Sequence, residues 1–237
     1  MIQIRKSAER GHAEHGWLNS YHTFSFADYF DPAFMGFRSL RVINEDRVAP
    51  GQGFGMHGHR DMEILSYVLQ GSIAHRDSMG HQKVLGPNEI QRMSAGTGVK
   101  HSEFNPSETE PLHFFQIWIQ PRKAGTQPSY EQIGFDPAEK RNRLRLLAGP
   151  EGGTTEEPAA WINQDARVFV AELDGGVEIP YSMGAKRGAW VHVVRGEVTV
   201  NGHSLQTGDA AAVNDETALT ITGVRSEPSE ILLFDLA

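Results

Sequence analysis

Four residues in the first half of the chain have the types and the spacing of a metal site. The segment His57-Gly58-His59 places two imidazoles two residues apart, and His101-Ser102-Glu103 repeats that spacing with a carboxylate. If both segments are strands, alternate side chains share a face, so each pair points the same way. Two neighbouring strands of this kind would bring four ligands to one point. Three imidazoles and a carboxylate suit one divalent transition metal, and they would leave two positions open on a six-coordinate iron.

The segments around these residues have the pattern of short strands separated by turns, which is typical of a β-sandwich or barrel. Glu45–Gly55 is predicted to be a loop that leads to His57. The strands predicted in the first half are Ile2–Lys6, Tyr21–Phe26, Arg38–Asn44, Asp61–Leu69, Ser72–His75, Gln82–Leu85, Glu89–Met93 and Leu112–Ile119.

The second half repeats the first weakly, at an offset of 125 residues. Tyr67–Gly71 matches His192–Gly196, but at the same offset Ser182 and Gly184 replace His57 and His59. We therefore predict an all-β protein of two tandem barrels: a metal-binding domain at residues 1–130 and a degenerate domain without ligands at 131–237. Residues 120–157 are predicted to be a linker followed by the opening strand of the second domain, with the basic stretch Lys140–Arg145 on a solvated face.

Composition excludes several classes of function. The formal charge of −8 argues against direct binding to nucleic acid, which requires clustered Lys and Arg. No apolar run is long enough to span a membrane, and the first residues lack the apolar core of a signal peptide. The chain has no cysteine, so His and carboxylates must supply any metal ligands. We expect a cytoplasmic protein, and a monomer, since two barrels in one chain can mimic a dimer.

The carboxylate ligand cannot be assigned from spacing. If the strand that carries His57 and His59 continues, Glu63 shares their face, while Glu103 shares a face with His101. The non-catalytic alternatives are a structural metal that joins two strands and histidines that bind no metal. Structural zinc, however, prefers closed sites that usually contain cysteine. His22 is predicted to be an ordinary packed or surface histidine, since one imidazole alone marks no site.

The two segments resemble the paired motifs of the cupin superfamily, whose jelly-roll barrels hold a metal with residues from both motifs. The wider match is to the pirin family of two-domain cupins, and within it to bacterial members described as quercetin 2,3-dioxygenases. Its most specific parts are Phe26–Tyr29, the His57/His59 pair and Ala95–Gly98 before His101–Glu103. The match is dense in residues 1–120 and thin afterwards.

The resemblance implies that His57, His59, His101 and Glu103 are the ligands, with Glu63 touching a ligand imidazole or orienting water. It further implies a metal-dependent dioxygenase. The ligand set of three imidazoles and a carboxylate, with no thiolate and with open positions, favours Fe²⁺, and Mn, Ni, Cu and Zn are also able to bind. The substrate would be a planar flavonol such as quercetin, cleaved with O2, and Glu103 or Glu63 would take its hydroxyl proton. The alternative is a non-catalytic, redox- or metal-sensing pirin that regulates a protein partner.

Four aromatic residues could line an apolar pocket for the flavonol or could simply belong to the core: Phe24, Phe26, Phe54 and Phe115.

Overall fold

The computed structural model describes all 237 residues, Met1–Ala237, and consists almost entirely of strands. In chain order the first twelve are β1 (Ile2–Arg5), β2 (Gly11–Glu14), β3 (Leu18–His22), β4 (Leu40–Val48), β5 (Gly53–His59), β6 (Glu63–Gln70), β7 (Ile73–Asp77), β8 (Gln82–Leu85), β9 (Glu89–Ser94), β10 (Val99–Phe104), β11 (Leu112–Ile119) and β12 (Ser129–Gly134). The others are β13 (Arg145–Gly149), β14 (Ala160–Trp161), β15 (Ala166–Leu173), β16 (Glu178–Ser182), β17 (Gly188–Arg195), β18 (Glu197–Val200), β19 (His203–Gln206), β20 (Ala210–Val213), β21 (Ala218–Gly223) and β22 (Ser229–Leu236). The only helices are 3₁₀ turns at Ser7–Glu9 and Pro137–Lys140, and neither has the length to cross a membrane.

The chain forms two compact units. The N-terminal unit contains Gly11–Phe135 and Ala160–Gln164, and the C-terminal unit contains Met1–Arg10, Asp136–Ala159 and Asp165–Ala237. These limits differ from the predicted division after residue 130, chiefly because the first ten residues belong with the second half of the chain. The predicted all-β fold class is confirmed.

The first strand joins the C-terminal unit through its side chains and its backbone. Ile2 and Ile4 alternate with polar residues, and both pack against the buried core of that unit. Strand β1 pairs with β20, so that Ile2 lies opposite Val213. Sequence alternation predicts the strand, but it carries no information on which sheet the strand joins.

The N-terminal unit consists of two antiparallel sheets that enclose a common interior. The larger sheet has the order β12, β9, β6, β11, β4, β3, β2, and the smaller sheet has the order β5, β10, β7, β8. Strand β4 continues to Val48 and β5 starts at Gly53, so the predicted loop from Glu45 to Gly55 is mostly strand. Buried Leu18 and Val68 of the larger sheet pack in one cluster with Ile73 and Leu85 of the smaller sheet.

The C-terminal unit repeats this plan. Its larger sheet includes β1, β20, β17, β22, β15 and β13 in that order, and its smaller sheet has the order β16, β21, β18, β19. The predicted internal repeat is visible in the turn after β6 and the turn after β17. Gly71 has φ of 75° and Gly196 has φ of 83°, and both values are in the left-handed region that favours glycine.

Residues 120–157 contain more structure than the predicted linker. Strand β12 pairs with β9, with Tyr130 opposite Met93, and so forms the edge of the larger sheet of the N-terminal unit. The basic stretch is a solvated face only in part: Arg141 and Arg143 are exposed, whereas Lys140 and Arg145 are buried. Lys140 Nζ lies 2.9 Å from Glu230 Oε1, and such pairing offsets the cost of burying a charge.

Candidate metal centre

Two neighbouring strands of the smaller sheet carry the four predicted ligands. His57 and His59 lie on β5, and His101 and Glu103 lie on β10. The strands are antiparallel, with His101 opposite His57, and the register shifts between His101 and Glu103 so that Glu103 lies opposite Phe54. A shift of this kind re-aims the side chains that follow it. The prediction that adjacent strands position both pairs is confirmed.

The three imidazoles lie against one another. Their ring centroids are 4.5 Å apart for His57 and His101, 4.7 Å for His57 and His59, and 4.8 Å for His59 and His101. Each ring offers a nitrogen within 4.8 Å of the others. His57 Nδ1 lies 2.8 Å from the Gly55 carbonyl oxygen, to which it donates, so the lone pair is on Nε2. Fixing the tautomer in this way orients an imidazole for metal binding.

Buried ring nitrogens without partners show that this cluster fits a divalent metal. His59 Nε2 and both ring nitrogens of His101 are buried and form no hydrogen bond. An unsatisfied buried polar atom costs about 1–3 kcal/mol, so clusters of them are rare unless a ligand satisfies them. Imidazoles with no thiolate nearby suit the first-row divalent ions.

The electrostatics of the cluster keep the rings neutral. Burial lowers the pKa of His59 to about 4, with a further contribution from His101 and His57. Burial likewise lowers the pKa of His101 to about 3, helped by His57 and His75. Both imidazoles are therefore unprotonated at neutral pH, which is the form that donates a lone pair to a metal.

Glu103 is buried and held by two side chains of the larger sheet. Ser66 Oγ donates to Oε1 at 3.3 Å, and Gln116 Nε2 donates to Oε2 at 3.0 Å. Gln116 is oriented in turn by Trp118, whose Nε1 donates to Gln116 Oε1 at 3.1 Å. Such outer contacts fix the direction of a ligand carboxylate.

His75 is a site residue that the sequence reasoning missed. It is buried on β7, and its ring forms a second group of possible ligands with His101 and Glu103, again with ligand atoms within 4.8 Å. His75 Nε2 lies 3.3 Å from Asp77 Oδ2. The available signal was the alternation of Ile73, His75 and Asp77, which places both polar residues on the buried face of a strand.

Glu63 lies apart from the cluster, and the predicted common strand face is wrong. Strand β5 ends at His59 and the chain turns at Asp61, which has φ of 51°, before Glu63 begins β6 in the larger sheet. Ser94 Oγ donates to Glu63 Oε2 at 2.6 Å, and the carboxylate forms no hydrogen bond with a cluster imidazole. Burial raises the pKa of Glu63, and the bond from Ser94 opposes that rise.

A cavity of about 650 Å³ opens beside the cluster. Its walls include His57, His59 and Glu103, together with the ring of Trp118. Volumes of about 300–1,000 Å³ are typical of sites for small organic ligands. The imidazole cluster therefore opens onto a space that can hold an aromatic molecule.

The four aromatic candidates divide evenly between this cavity and the core. Phe26 and Phe54 line the cavity, whereas Phe24 and Phe115 are fully buried. Phe26 packs edge-on against Trp118, with ring centroids 5.5 Å apart. The cavity thus has aromatic walls on more than one side.

One carboxyl group on the cavity wall has a strongly shifted pKa. Asp46 is buried on β4, and Ser20 Oγ donates to its Oδ1 at 2.5 Å. Burial raises the pKa of Asp46 to about 7, against the effect of the Ser20 hydrogen bond and with help from the carboxylates of Glu103 and Glu45. A neutral carboxylic acid can therefore face the cavity at mildly acidic pH.

Comparison with known proteins agrees with this structure. The family model Pirin matches residues 3–119, and the model described as "Quercetinase C-terminal cupin domain" matches residues 146–236. A protein of Escherichia coli K12 named quercetin 2,3-dioxygenase is 48% identical over 100% of this chain and 99% of its own. A relative from Caulobacter vibrioides, 39% identical over the full length of both chains, is named only a pirin-like protein.

Solved structures give the same result. The bacterial pirin YhhW of Escherichia coli, crystallised in complex with nickel(II), has a TM-score of 0.93 and 47% identity over 100% of this chain and 99% of that chain. The two-domain cupin fold expected from the sequence motifs is thereby confirmed. Identity over the full length, the two matched family models and the shared fold lead to one conclusion: this chain is a member of the pirin family.

Proposed function

We propose that this protein is a metal-dependent dioxygenase that cleaves a flavonol such as quercetin with O2. The observation that carries the proposal is the junction of a buried cluster of imidazoles with an aromatic-walled cavity of about 650 Å³. A metal that only joined two strands would not need such a space beside it. The names of the relatives support the same activity, and the nickel(II) complex of one of them supports a divalent ion.

In this proposal His57, His59, His101 and Glu103 hold one divalent ion, with iron(II) as the predicted metal. A bound ion would supply Lewis acidity, which lowers the pKa of a coordinated hydroxyl group, and open positions for substrate oxygen atoms. The overall reaction consumes one O2 and releases carbon monoxide and a depside.

The chain's own residues position the substrate and accept its proton. Glu103 is the proposed acceptor of the flavonol 3-hydroxyl proton, because it lines the cavity whereas Glu63 does not. Ser66 and Gln116 hold the Glu103 carboxylate in a fixed direction, so its proton-accepting oxygen is placed before the substrate arrives. Phe26 and Phe54 bound the cavity with apolar surface, which favours a planar aromatic ligand and excludes water.

The test is oxygen uptake with quercetin by protein loaded with iron(II), measured beside the variants His101→Ala and His203→Ala at equal metal concentration. His203 is exposed on β19 and serves as the matched histidine control. We expect oxygen uptake that matches flavonol loss in the unmodified protein and in His203→Ala, and none in His101→Ala. If the protein binds iron(II) but consumes no oxygen, and the same holds after loading with nickel(II) and with manganese(II), the proposed dioxygenase activity is overturned and the regulatory alternative is favoured.

A further inference from the structure

A row of four polar side chains lies on one face of the larger sheet, and three of them, His22, Asn44 and Gln116, line the cavity. Gln116 on β11 lies opposite Asn44 on β4, and Asn44 lies opposite His22 on β3. On its other side Gln116 lies opposite Ser66 on β6. Directly paired residues share a face of a sheet, so these four side chains point the same way.

The two halves of this row have different partners. Ser66 and Gln116 both donate to Glu103, so their hydrogen-bonding capacity is used at the metal cluster. Asn44 Oδ1 and His22 Nδ1, in contrast, are buried and have no hydrogen-bond partner. Both residues line the cavity, and both are nearly inaccessible to solvent, with exposed fractions of 4% for Asn44 and 5% for His22.

Strand spacing gives the position of these unpaired groups relative to the cluster. Neighbouring strands lie about 4.8 Å apart, so Asn44 is about 5 Å and His22 about 10 Å from Gln116 along the row. Gln116 touches Glu103, so the row runs from the metal cluster towards the far part of the cavity. Phe26, which packs edge-on against the His22 ring at 5.3 Å between centroids, adds an aromatic wall at that end.

We propose that Asn44 and His22 form a polar subsite that hydrogen-bonds hydroxyl groups on the end of an aromatic ligand farther from the metal. The inference rests on the proposed function and adds a requirement on the substrate, which must be a polyhydroxylated aromatic rather than any chelating one. A phenol hydroxyl both donates and accepts, so it can pair with the Asn44 amide and with the unpaired nitrogen of a neutral His22 ring. A site built to pair with a hydroxyl discriminates against an analogue without it, because the buried polar groups then remain unpaired.

The experiment compares two flavonols that share the metal-chelating hydroxy–keto pair. Quercetin carries further hydroxyl groups on its outer rings, and 3-hydroxyflavone carries none. Each is titrated under anaerobic conditions into nickel(II)-loaded protein, so that no turnover occurs, and binding is followed by flavonol absorbance. In the unmodified protein we expect quercetin to bind at least about 10-fold more tightly.

The variants Asn44→Leu and His22→Phe separate the subsite from intrinsic differences between the two ligands. Those differences cancel when the quercetin-to-3-hydroxyflavone ratio is compared across proteins. We expect Asn44→Leu to bring the ratio close to one by weakening quercetin alone, and His22→Phe to lower it. Gln91→Leu is the matched control, because Gln91 is a buried amide opposite Ser66 on the same sheet but does not line the cavity; its ratio should equal that of the unmodified protein.

Each other outcome is decisive. Equal binding of the two flavonols by the unmodified protein would overturn the subsite without requiring any variant to fold. An affinity ratio of quercetin to 3-hydroxyflavone that is unchanged in both Asn44→Leu and His22→Phe would also overturn the subsite, but it would not contradict the proposed dioxygenase activity. Failure of both flavonols to bind would overturn the proposed function together with this inference.

Discussion

The smaller sheets of the two units place different chemistry on equivalent pairs of strands. In the N-terminal unit, β5 and β10 carry the imidazole cluster and Glu103. In the C-terminal unit, the paired strands β16 and β21 place Ile179 opposite Ile221, and both belong to one continuous apolar core. The turns and strand order are similar, so the inward-facing residue types alone distinguish a reactive interior from a filled one.

The larger sheets show the same contrast. On β6 the buried Ser66 lies between Ile64 and Val68, and the polar row that contains it separates two apolar clusters. At the offset of the internal repeat, Ser66 corresponds to Val191 on β17, which belongs to a large apolar core cluster of the C-terminal unit. Polar residues placed inwards cost stability unless they are paired, so a functional interior is also a less stabilising one.

The largest expected effect is loss of metal from the N-terminal unit. His101→Ala removes a buried imidazole that faces both groups of possible ligands, and we expect metal affinity to fall by at least about 100-fold. Elemental analysis after loading and desalting measures this, with His203→Ala retaining the metal. Full loss from Glu63→Ala while Glu103→Ala keeps its metal would transfer the carboxylate ligand to Glu63 and contradict the assignment.

In the apolar interior of the C-terminal unit we expect a substitution to lower stability without loss of metal. Ile221 is fully buried, and Ile221→Ala leaves a cavity that should cost about 3 kcal/mol of unfolding free energy. Denaturant titration of the apo protein measures the loss, and metal content should remain that of the unmodified protein. A drop in metal stoichiometry in natively folded Ile221→Ala would show that the apolar interior does more than stabilise.

Sequence spacing was sufficient for the parts of the site that are local. Two residues on one strand share a face whatever the rest of the fold does, so His57 with His59 and His101 with Glu103 could be paired in advance. The same rule failed at Glu63, because the chain turns at Asp61 and an assignment of faces by alternation holds only within one strand.

The parts of the site that are formed by residues far apart in the chain could not be predicted from the sequence. His22, Asn44 and Gln116 are far apart in the chain and each is a single polar residue on a strand, so only the pairing register makes them a row. For His75, the local alternation indicates a buried strand face, but only the pairing of β7 with β10 brings it opposite Glu103. Strand Ile2–Lys6 could be predicted as a strand, but its partner β20 lies about 200 residues away, and local sequence does not specify such a pairing.

A buried carboxyl group in the N-terminal interior should make stability depend on pH. The pKa of Asp46 is raised to about 7 in the folded protein, so between about pH 4 and pH 7 the folded state binds more protons than the unfolded state. Stability contributed by this group is complete below its unfolded pKa of 3.8 and is lost as pH rises to about 7. The loss is about 4 kcal/mol in total, of which about 2.5 kcal/mol falls between pH 5 and pH 7.5. Denaturant titrations at pH 5 and pH 7.5 should show a smaller change in unfolding free energy between the two pH values for Asp46→Asn than for the unmodified apo protein. An equal change in the two proteins would contradict the assignment.

The smallest expected effect is a gain of stability from Asn44→Leu. Asn44 Oδ1 is buried without a partner, so replacement by leucine, which has the same number of side-chain heavy atoms, removes an unpaired polar atom, and the adjoining cavity accommodates the slightly larger volume of the leucine side chain. We expect the ligand-free protein to gain about 1 kcal/mol of unfolding free energy, measured by denaturant titration. Gln116→Leu is the contrasting variant, because its amide is paired with Glu103 and Trp118, and it should lose stability instead. A loss of similar size in Asn44→Leu would mean that Asn44 supports the fold, whereas a gain would show that the polar interior is maintained for a ligand at the expense of stability.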